Sequence, residues 1–269
     1  MDTLAEKKDR LARSIEAMDS AAAAFSAGVD STFLAVFAKG ILGDRLLAVT
    51  VNGAFMPRRE LDEAKALCER YGIRQQIIDL DALSVREFRE NTPDRCYHCK
   101  KHIFTEIKKV AAGFGTQCVL DGSNVDDLSD YRPGMRALGE LGIISPLRDA
   151  GLTKADIREL SRELGLPTAD KPSFACLATR IPCGDEITLQ KLSMAESAEQ
   201  KLYDLGFSQF RVRIHGTIAR IEILPPEFPM ILRTDTAREI TACFASLGFT
   251  HTTLDLTGYT RGSGNGRNE

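Results

Sequence analysis

Four cysteines and one small-residue turn carry the chemistry this sequence can offer. Cys96, Cys99, Cys176 and Cys183 lie in loop-like, basic surroundings, where a thiol is accessible and neighbouring cations favour its thiolate. A thiolate can act as nucleophile, sulfur donor or metal ligand. Cys96-Tyr97-His98-Cys99 has the two-residue spacing of a metal or redox pair, although the same residues also suit the start of a helix. Lys171 and Arg180 flank Cys176 and would lower its pKa if they fold close to it. A small buried residue beside Phe174 and Leu177 is the other reading of Cys176. The remaining three cysteines, Cys68, Cys118 and Cys243, sit in apolar helix or strand patterns and read as small core residues.

The turn is Ser26-Ala27-Gly28-Val29-Asp30-Ser31. Residues 21–25 before it fit a buried strand, and residues 32–38 after it read as an apolar helix. A tight strand-to-helix loop presents unpaired backbone N–H groups at the positive end of the helix dipole, which suits an anion, most often phosphate. Ser26, Ser31 and Thr32 add hydroxyl donors, and Gly28 permits a backbone conformation that a side chain would block. Asp30 either caps the helix or helps to hold a cation beside phosphate. The pattern GxxxxGK[ST] is absent and no lysine lies among residues 21–38, so this is not a Walker loop.

The elements that must position these groups alternate. Helices are predicted over 4–18, 57–71, 97–110 and 153–164, and strands over 45–52, 75–80 and 117–121. Such alternation predicts an α/β fold with a parallel, doubly wound sheet covered on both faces. Ligands of open parallel sheets bind beyond the carboxyl ends of the strands. The 26–31 loop and the stretch 121–127, with Gly122, Asn124 and Asp127, both fall at such ends and are candidates for one shared site.

Between 165 and 187 no periodicity survives, and a structureless stretch of that length needs a functional reason. A domain boundary near Asp185 separates residues 1–185, which include a mobile cysteine loop at 165–187, from a smaller α+β domain at 186–269. That second part reads helix, hairpin, helix, strand. The hairpin, 209–214 and 217–223, sorts cleanly: Phe210, Val212, Ile214, Ala219, Ile221 and Ile223 form one apolar face. Arg211, Arg213, Arg220 and Glu222 share the other face with Ile218. Three arginines on one small face are either a solvated surface or an anion site, since guanidiniums suit phosphate and carboxylate.

Size and charge narrow the classes. The 269 residues can hold one large or two ordinary domains. A net charge of −3 gives no global pull toward nucleic acid. No apolar run approaches the ~18 residues of a membrane span. The N-terminus is a charged amphipathic helix without the apolar core of a signal peptide, so a cytoplasmic protein without a disulfide framework is expected.

Taken together, AFSAGVDSTFLA, TPDRCYHCKKHIF, DGSNVDDLSDYRPG, KPSFACLATRIP, FRVRIHGTIARIEI and DLTGYTRGSGN resemble, in order and over nearly the whole chain, the LarE-type ATP-dependent sulfur transferases of nickel-pincer nucleotide biosynthesis. Within the wider ATP pyrophosphatase (PP-loop) superfamily, 26–31 matches the SGGxDS loop, with Ala27 at its second position, where that pattern has glycine. The resemblance implies ATP and Mg²⁺, and adenylation of a carboxylate on a pyridinium mononucleotide followed by thioester formation with a cysteine. In the sacrificial version the Cβ–S bond then breaks, releasing a thiocarboxylate and leaving dehydroalanine.

Carried over residue by residue, the sulfur donor falls on Cys176, with Thr179 and Arg180 following it in the family's order. Adenylation falls on Ser26 to Ser31, with Asp30 central, and the substrate-phosphate contacts fall on Arg211 and Arg213. Part of the family instead uses a 4Fe–4S cluster on three cysteines, for which Cys96, Cys99, Cys176 and Cys183 are the candidates. The family also implies a homo-oligomer. Two rivals stand beside this reading. One is another PP-loop enzyme, a tRNA thiolase or amidating synthetase, although a tRNA enzyme would be expected to show a larger basic face. The other is a non-catalytic adenine-nucleotide sensor in which Cys176 is inert.

Overall fold

The sequence of small and apolar residues around Ala21 builds a sheet that admits helices closely on both sides. A computed structural model describes residues 2–128, 133–173 and 175–260. In chain order it contains α1 (Leu4–Glu16), β1 (Ala21–Ala24), α2 (Val29–Leu42), β2 (Leu46–Asn52), α3 (Arg58–Arg70) and β3 (Arg74–Asp79). There follow α4 (Arg86–Arg89), α5 (Arg95–Phe114), β4 (Val119–Leu120), α6 (Pro133–Glu140), α7 (Pro146–Asp149) and α8 (Lys154–Glu163). The remainder comprises α9 (Leu189–Asp204), β5 (Phe210–His215), β6 (Ile218–Ile223), α10 (Phe228–Ile231), α11 (Thr234–Ser246) and β7 (His251–Leu254).

Two compact units emerge. The first is Met1–Val85 with Asp94–Phe174, and the second is Arg86–Pro93 with Ala175–Glu269. They part between Phe174 and Ala175, ahead of the boundary near Asp185 that the periodicity suggests. The reason is local: Ile187 N–H donates to Arg89 O at 2.8 Å and Gly184 N–H to Asn91 O at 3.0 Å, so the stretch before α9 packs with 86–93.

In the first unit all four strands run parallel in the order β3-β2-β1-β4. Side chains alternate across the sheet. Ala21, Ala23, Leu46 and Ala48 face a core with Leu11, Phe33, Leu34, Leu67 and Ile157, from α1, α2, α3 and α8. Ala22, Leu47, Val49 and Val119 face Phe104, Ile107 and Leu138 of α5 and α6. The sheet is therefore doubly wound, as expected. Methyl side chains on β1 leave room for this, and burial of the two faces supplies the main stabilising term. The chain builds outward from β1 to β3 and then returns to the far side of β1 with β4. That reversal makes the carboxyl ends of β1 and β4 the topological switch point, the place where open parallel sheets bind ligands.

The second unit carries a three-stranded sheet in the order β5-β6-β7, antiparallel between β5 and β6 and parallel between β6 and β7. The hairpin register pairs Phe210 with Ile223 and Val212 with Ile221 on the apolar face, and Arg211 with Glu222 and Arg213 with Arg220 on the other. Among the described residues no helix is long and apolar enough to cross a membrane.

Candidate active site

The turn after β1 is held by its own hydroxyls. Ser31 Oγ donates to Gly28 O at 3.3 Å and accepts from Ser26 N–H at 3.3 Å, with the two serine hydroxyls 3.1 Å apart. Gly28 is the N-cap of α2, at φ −77 and ψ 167, and Thr32 N–H closes the first helical bond to its carbonyl at 2.9 Å. The left-handed residue of the turn is instead Ala27, at φ 55 and fully buried. This corrects the expectation for Gly28, whose backbone any residue could adopt. The strained position is the one where the PP-loop pattern has glycine. Lys171 fixes it, donating to Ala27 O at 3.0 Å, to Glu60 at 2.7 Å and to Glu63 at 2.6 Å. All three ammonium hydrogens of Lys171 are thus committed inside the first unit, under the turn.

Asp30 does not cap the helix. Its Oδ2 accepts from Lys154 Nζ at 2.5 Å, while Oδ1 is buried without a hydrogen-bond partner among the described residues. Burial raises its pKa above the ordinary carboxylate value, the ammonium of Lys154 opposes that rise, and the charge of Asp127 adds to it. The stretch after β4 closes over this helix end. A methyl group placed on Gly122 would stand 3.2 Å from Ser31 N and 3.3 Å from Asp30 Cβ, so only glycine lets the two loops meet this closely. Asp121 anchors the approach by accepting from Ser123 at 2.5 Å and Ser145 at 2.6 Å. Asn124 N–H donates to Asp127 at 3.0 Å, and the Lys154 N–H donates to Asp126 at 2.9 Å. The two stretches expected to share a site are brought together.

The donor chemistry here fits Mg²⁺. A magnesium ion binding nucleotide uses one or two carboxylates, phosphate oxygens and waters, and the buried, unpartnered Oδ1 of Asp30 is a carboxylate oxygen of that kind.

In the second unit Cys176 stands at the start of a short 3-10 turn, Leu177–Arg180, and is half-buried. The stretch 165–187, aperiodic in sequence, is thus partly regular. Thr179 N–H and Thr179 Oγ1 donate to Cys176 O at 3.0 and 2.8 Å, and Arg180 Nη1 does so at 3.2 Å. Arg180 is fully buried and grips Glu199 of α9 with Nε and Nη2, at 2.6 and 2.9 Å. It therefore holds the cysteine's backbone, which revises the catalytic role expected of it to a positioning one.

The arginine face of the hairpin is buried at Arg211, Arg213 and Glu222, while Arg220 and Ile218 stay partly exposed. Arg211, Arg213 and Glu222 are 3, 7 and 1% exposed. Arg213 makes a bidentate pair with Glu222 at 3.0 and 3.1 Å and donates to Thr179 O at 2.5 Å. Arg211 donates to Phe210 O at 2.6 Å and stacks over the Tyr259 ring at 5.0 Å. Burial, followed by the charge of Arg180, lowers its pKa to about 10.

The family described as NAD synthase matches residues 7–106. A pyridinium-3,5-bisthiocarboxylic acid mononucleotide synthase of Lactiplantibacillus plantarum is 37% identical over 265 residues, 97% of this chain and 95% of that protein. The chain belongs to the family of that synthase. An uncharacterised protein of Synechocystis is also 37% identical to this member of the synthase family, over 259 residues, 96% of this chain and 97% of that one. A glutamine-hydrolysing GMP synthase component of Thermococcus kodakarensis is 31% identical over 156 residues, 54% of this chain and 50% of that protein. Likeness to the GMP synthase thus spans about half of each chain, whereas likeness to the bisthiocarboxylate synthase is nearly complete.

The thiols expected as cluster ligands are divided between the two units. Cys96 is exposed and Cys99 buried on the first turns of α5, in the first unit, while half-buried Cys176 and exposed Cys183 belong to the second. Among the described residues no three His, Cys, Asp or Glu side chains gather as a metal set. Of the four candidate thiols each unit holds two, so neither unit alone fits a three-thiolate cluster. Phe174, residues 129–132 of the DGSNVDDLSDYRPG stretch and the terminus from Arg261 lie outside the described residues.

Sequence reasoning missed Lys154, Glu199 and Asn91. Lysine at the first position of α8 works against the helix dipole, which is a signal that its partner lies elsewhere, here Asp30. Glu199 carried no signal: its role comes from Arg180, 19 residues away.

Proposed function

We propose that this chain is an ATP-dependent sulfur transferase that adenylates a ring carboxylate of a pyridinium biscarboxylic acid mononucleotide and converts it to a thiocarboxylate in nickel-pincer cofactor biosynthesis. The observation that carries the reading is the near-complete alignment with pyridinium-3,5-bisthiocarboxylic acid mononucleotide synthase. A helix N-terminus with Ser26, Gly28 and Ser31, met by Gly122 at the switch point, supports ATP phosphate binding there. Asp30 would hold Mg²⁺, which supplies charge neutralisation of the phosphates. Asn124 and Asp127 shape the same site from the β4 side.

In the first step a carboxylate oxygen attacks the α-phosphorus of ATP and pyrophosphate leaves. The Cys176 thiolate then attacks the acyl carbon and AMP leaves, giving a thioester. Loss of the Cys176 Cα proton breaks its Cβ–S bond, the electron pair stays on sulfur, and the products are a thiocarboxylate and dehydroalanine. Arg211 and Arg213, neighbours on one face of β5, serve the substrate phosphate. The reading places the enzyme in the cytoplasm, on a small molecule and as a homo-oligomer, and the net charge of −3 supports a small-molecule substrate over tRNA.

Cys176→Ala tests it. The variant is expected to release pyrophosphate from ATP in the presence of substrate but to make no thiocarboxylate. Intact transfer by the variant removes Cys176 as donor. In the parent enzyme, mass spectrometry after turnover should show the Cys176 peptide lighter by about one H₂S (~34 Da).

A further inference from the structure

The turn that carries Cys176 is fixed at its start by Arg180, and the structure also shows what fixes its end. Arg86–Pro93 leaves the first unit after Val85 and returns to it at Asp94, and in between it belongs with the cysteine turn. Its centre is Asn91, which is fully buried and left-handed at φ 55. Asparagine is among the few non-glycine residues that adopt this conformation readily. In this pose the side-chain amide Nδ2 donates to Pro182 O at 2.6 Å and to Ile181 O at 3.3 Å. The Asn91 carbonyl accepts from Gly184 N–H at 3.0 Å and from the Cys183 thiol at 3.3 Å. A single buried residue, about 90 positions earlier in sequence, thus clamps the four residues that follow the Cys176 turn.

We propose that Asn91 is a positioning residue for sulfur transfer: by holding the carbonyls of Ile181 and Pro182 it sets where the Cys176 thiol stands when it meets the acyl-adenylate. The proposal rests on Cys176 being the donor. The groups assigned to ATP lie in the first unit and the clamp touches none of them, so its effect is expected in the second step. A misplacement of about 1 Å in a reacting atom costs roughly 100-fold in rate.

Asn91→Gly keeps the left-handed backbone and its carbonyl contacts but removes the amide's hold on Ile181 and Pro182. Asn91→Asp keeps the shape but turns an oxygen on the two carbonyls. Both are expected to release pyrophosphate within about twofold of the parent, while thiocarboxylate formed per pyrophosphate falls at least about tenfold. The rate of Cys176 alkylation by iodoacetamide, read by peptide mapping on protein with native circular dichroism, should change at least about threefold. Variants that only melt earlier, with the product ratio and the alkylation rate unchanged, overturn the proposal. If Cys176→Ala still transfers sulfur, the donor reading fails, yet the alkylation rate continues to report whether Asn91 places that thiol.

Discussion

The guanidinium of Arg180 grips the carboxylate of Glu199 through both oxygens, at 2.6 and 2.9 Å, with neither side chain more than 1% exposed. The same Glu199 oxygen accepts from Val212 N–H at 3.0 Å, so one carboxylate joins the cysteine turn, α9 and the edge strand β5. Removing one partner of such a pair leaves an uncompensated buried charge. Glu199→Gln is expected to lose about 3–5 kcal/mol in urea unfolding, whereas joint replacement of Arg180 and Glu199 by methionine should recover much of that loss. A loss below about 1 kcal/mol for Glu199→Gln would mean that the pair does not hold the turn.

Ala27 offers a second measurement. Its left-handed backbone costs about 1–2 kcal/mol, which glycine would relieve. Glycine gives back about 0.5–1 kcal/mol in chain entropy and about 0.8 kcal/mol in lost methyl burial. The terms nearly cancel, so Ala27→Gly should lie within about 1 kcal/mol of the parent by thermal unfolding. Ala27→Val adds a β-branched side chain at a buried, left-handed site and should cost about 2 kcal/mol or more.

Asp30 links pH to stability and to activity in opposite senses. Burial lifts its folded pKa above 3.8, so its contribution to stability is fully present below that value and is lost as pH rises through the folded one. Asp30→Asn, which never ionises, should therefore match the parent at acid pH and become relatively more stable as pH rises toward neutrality. Pyrophosphate release should fall at least about 100-fold in the same variant. A variant that is less stable at neutral pH, with release intact, would place the carboxylate in a purely structural role.

The cysteines should separate in a labelling experiment. Burial pushes the Cys68 thiol up to about 12, and its side chain is 2% exposed. At pH 8 the Cys68 peptide should stay unmodified by iodoacetamide in the folded protein, while the exposed Cys96 and Cys183 are labelled within minutes. Labelling of Cys68 at the rate of Cys183 would contradict the packing of α3.

Much of the first unit was legible because its signals are local. The apolar run at Ala21, the small-residue turn and Gly122 after β4 each announce themselves within a few residues, and the sheet order brings them together. The helix expected over 153–164 forms as α8, its start closed by a capping box between Thr153 and Asp156. The hairpin's two faces were legible by alternation, but the burial of Arg211 and Arg213 was not. A strand pattern reports which residues share a face, and it cannot report that Thr179 and Tyr259 will meet Arg213 and Arg211 there. Asn91 lay hidden in a polar stretch for the same reason, since its partners follow 90 or more residues later.

Because the chain passes between its two units at Val85, Pro93 and Phe174, neither can be inherited as an uninterrupted cassette. A gene fusion that exchanged only the portion after Phe174 would leave the Asn91 clamp behind in its old host. A designer exchanging the second unit must therefore transplant the eight residues Arg86–Pro93 as well.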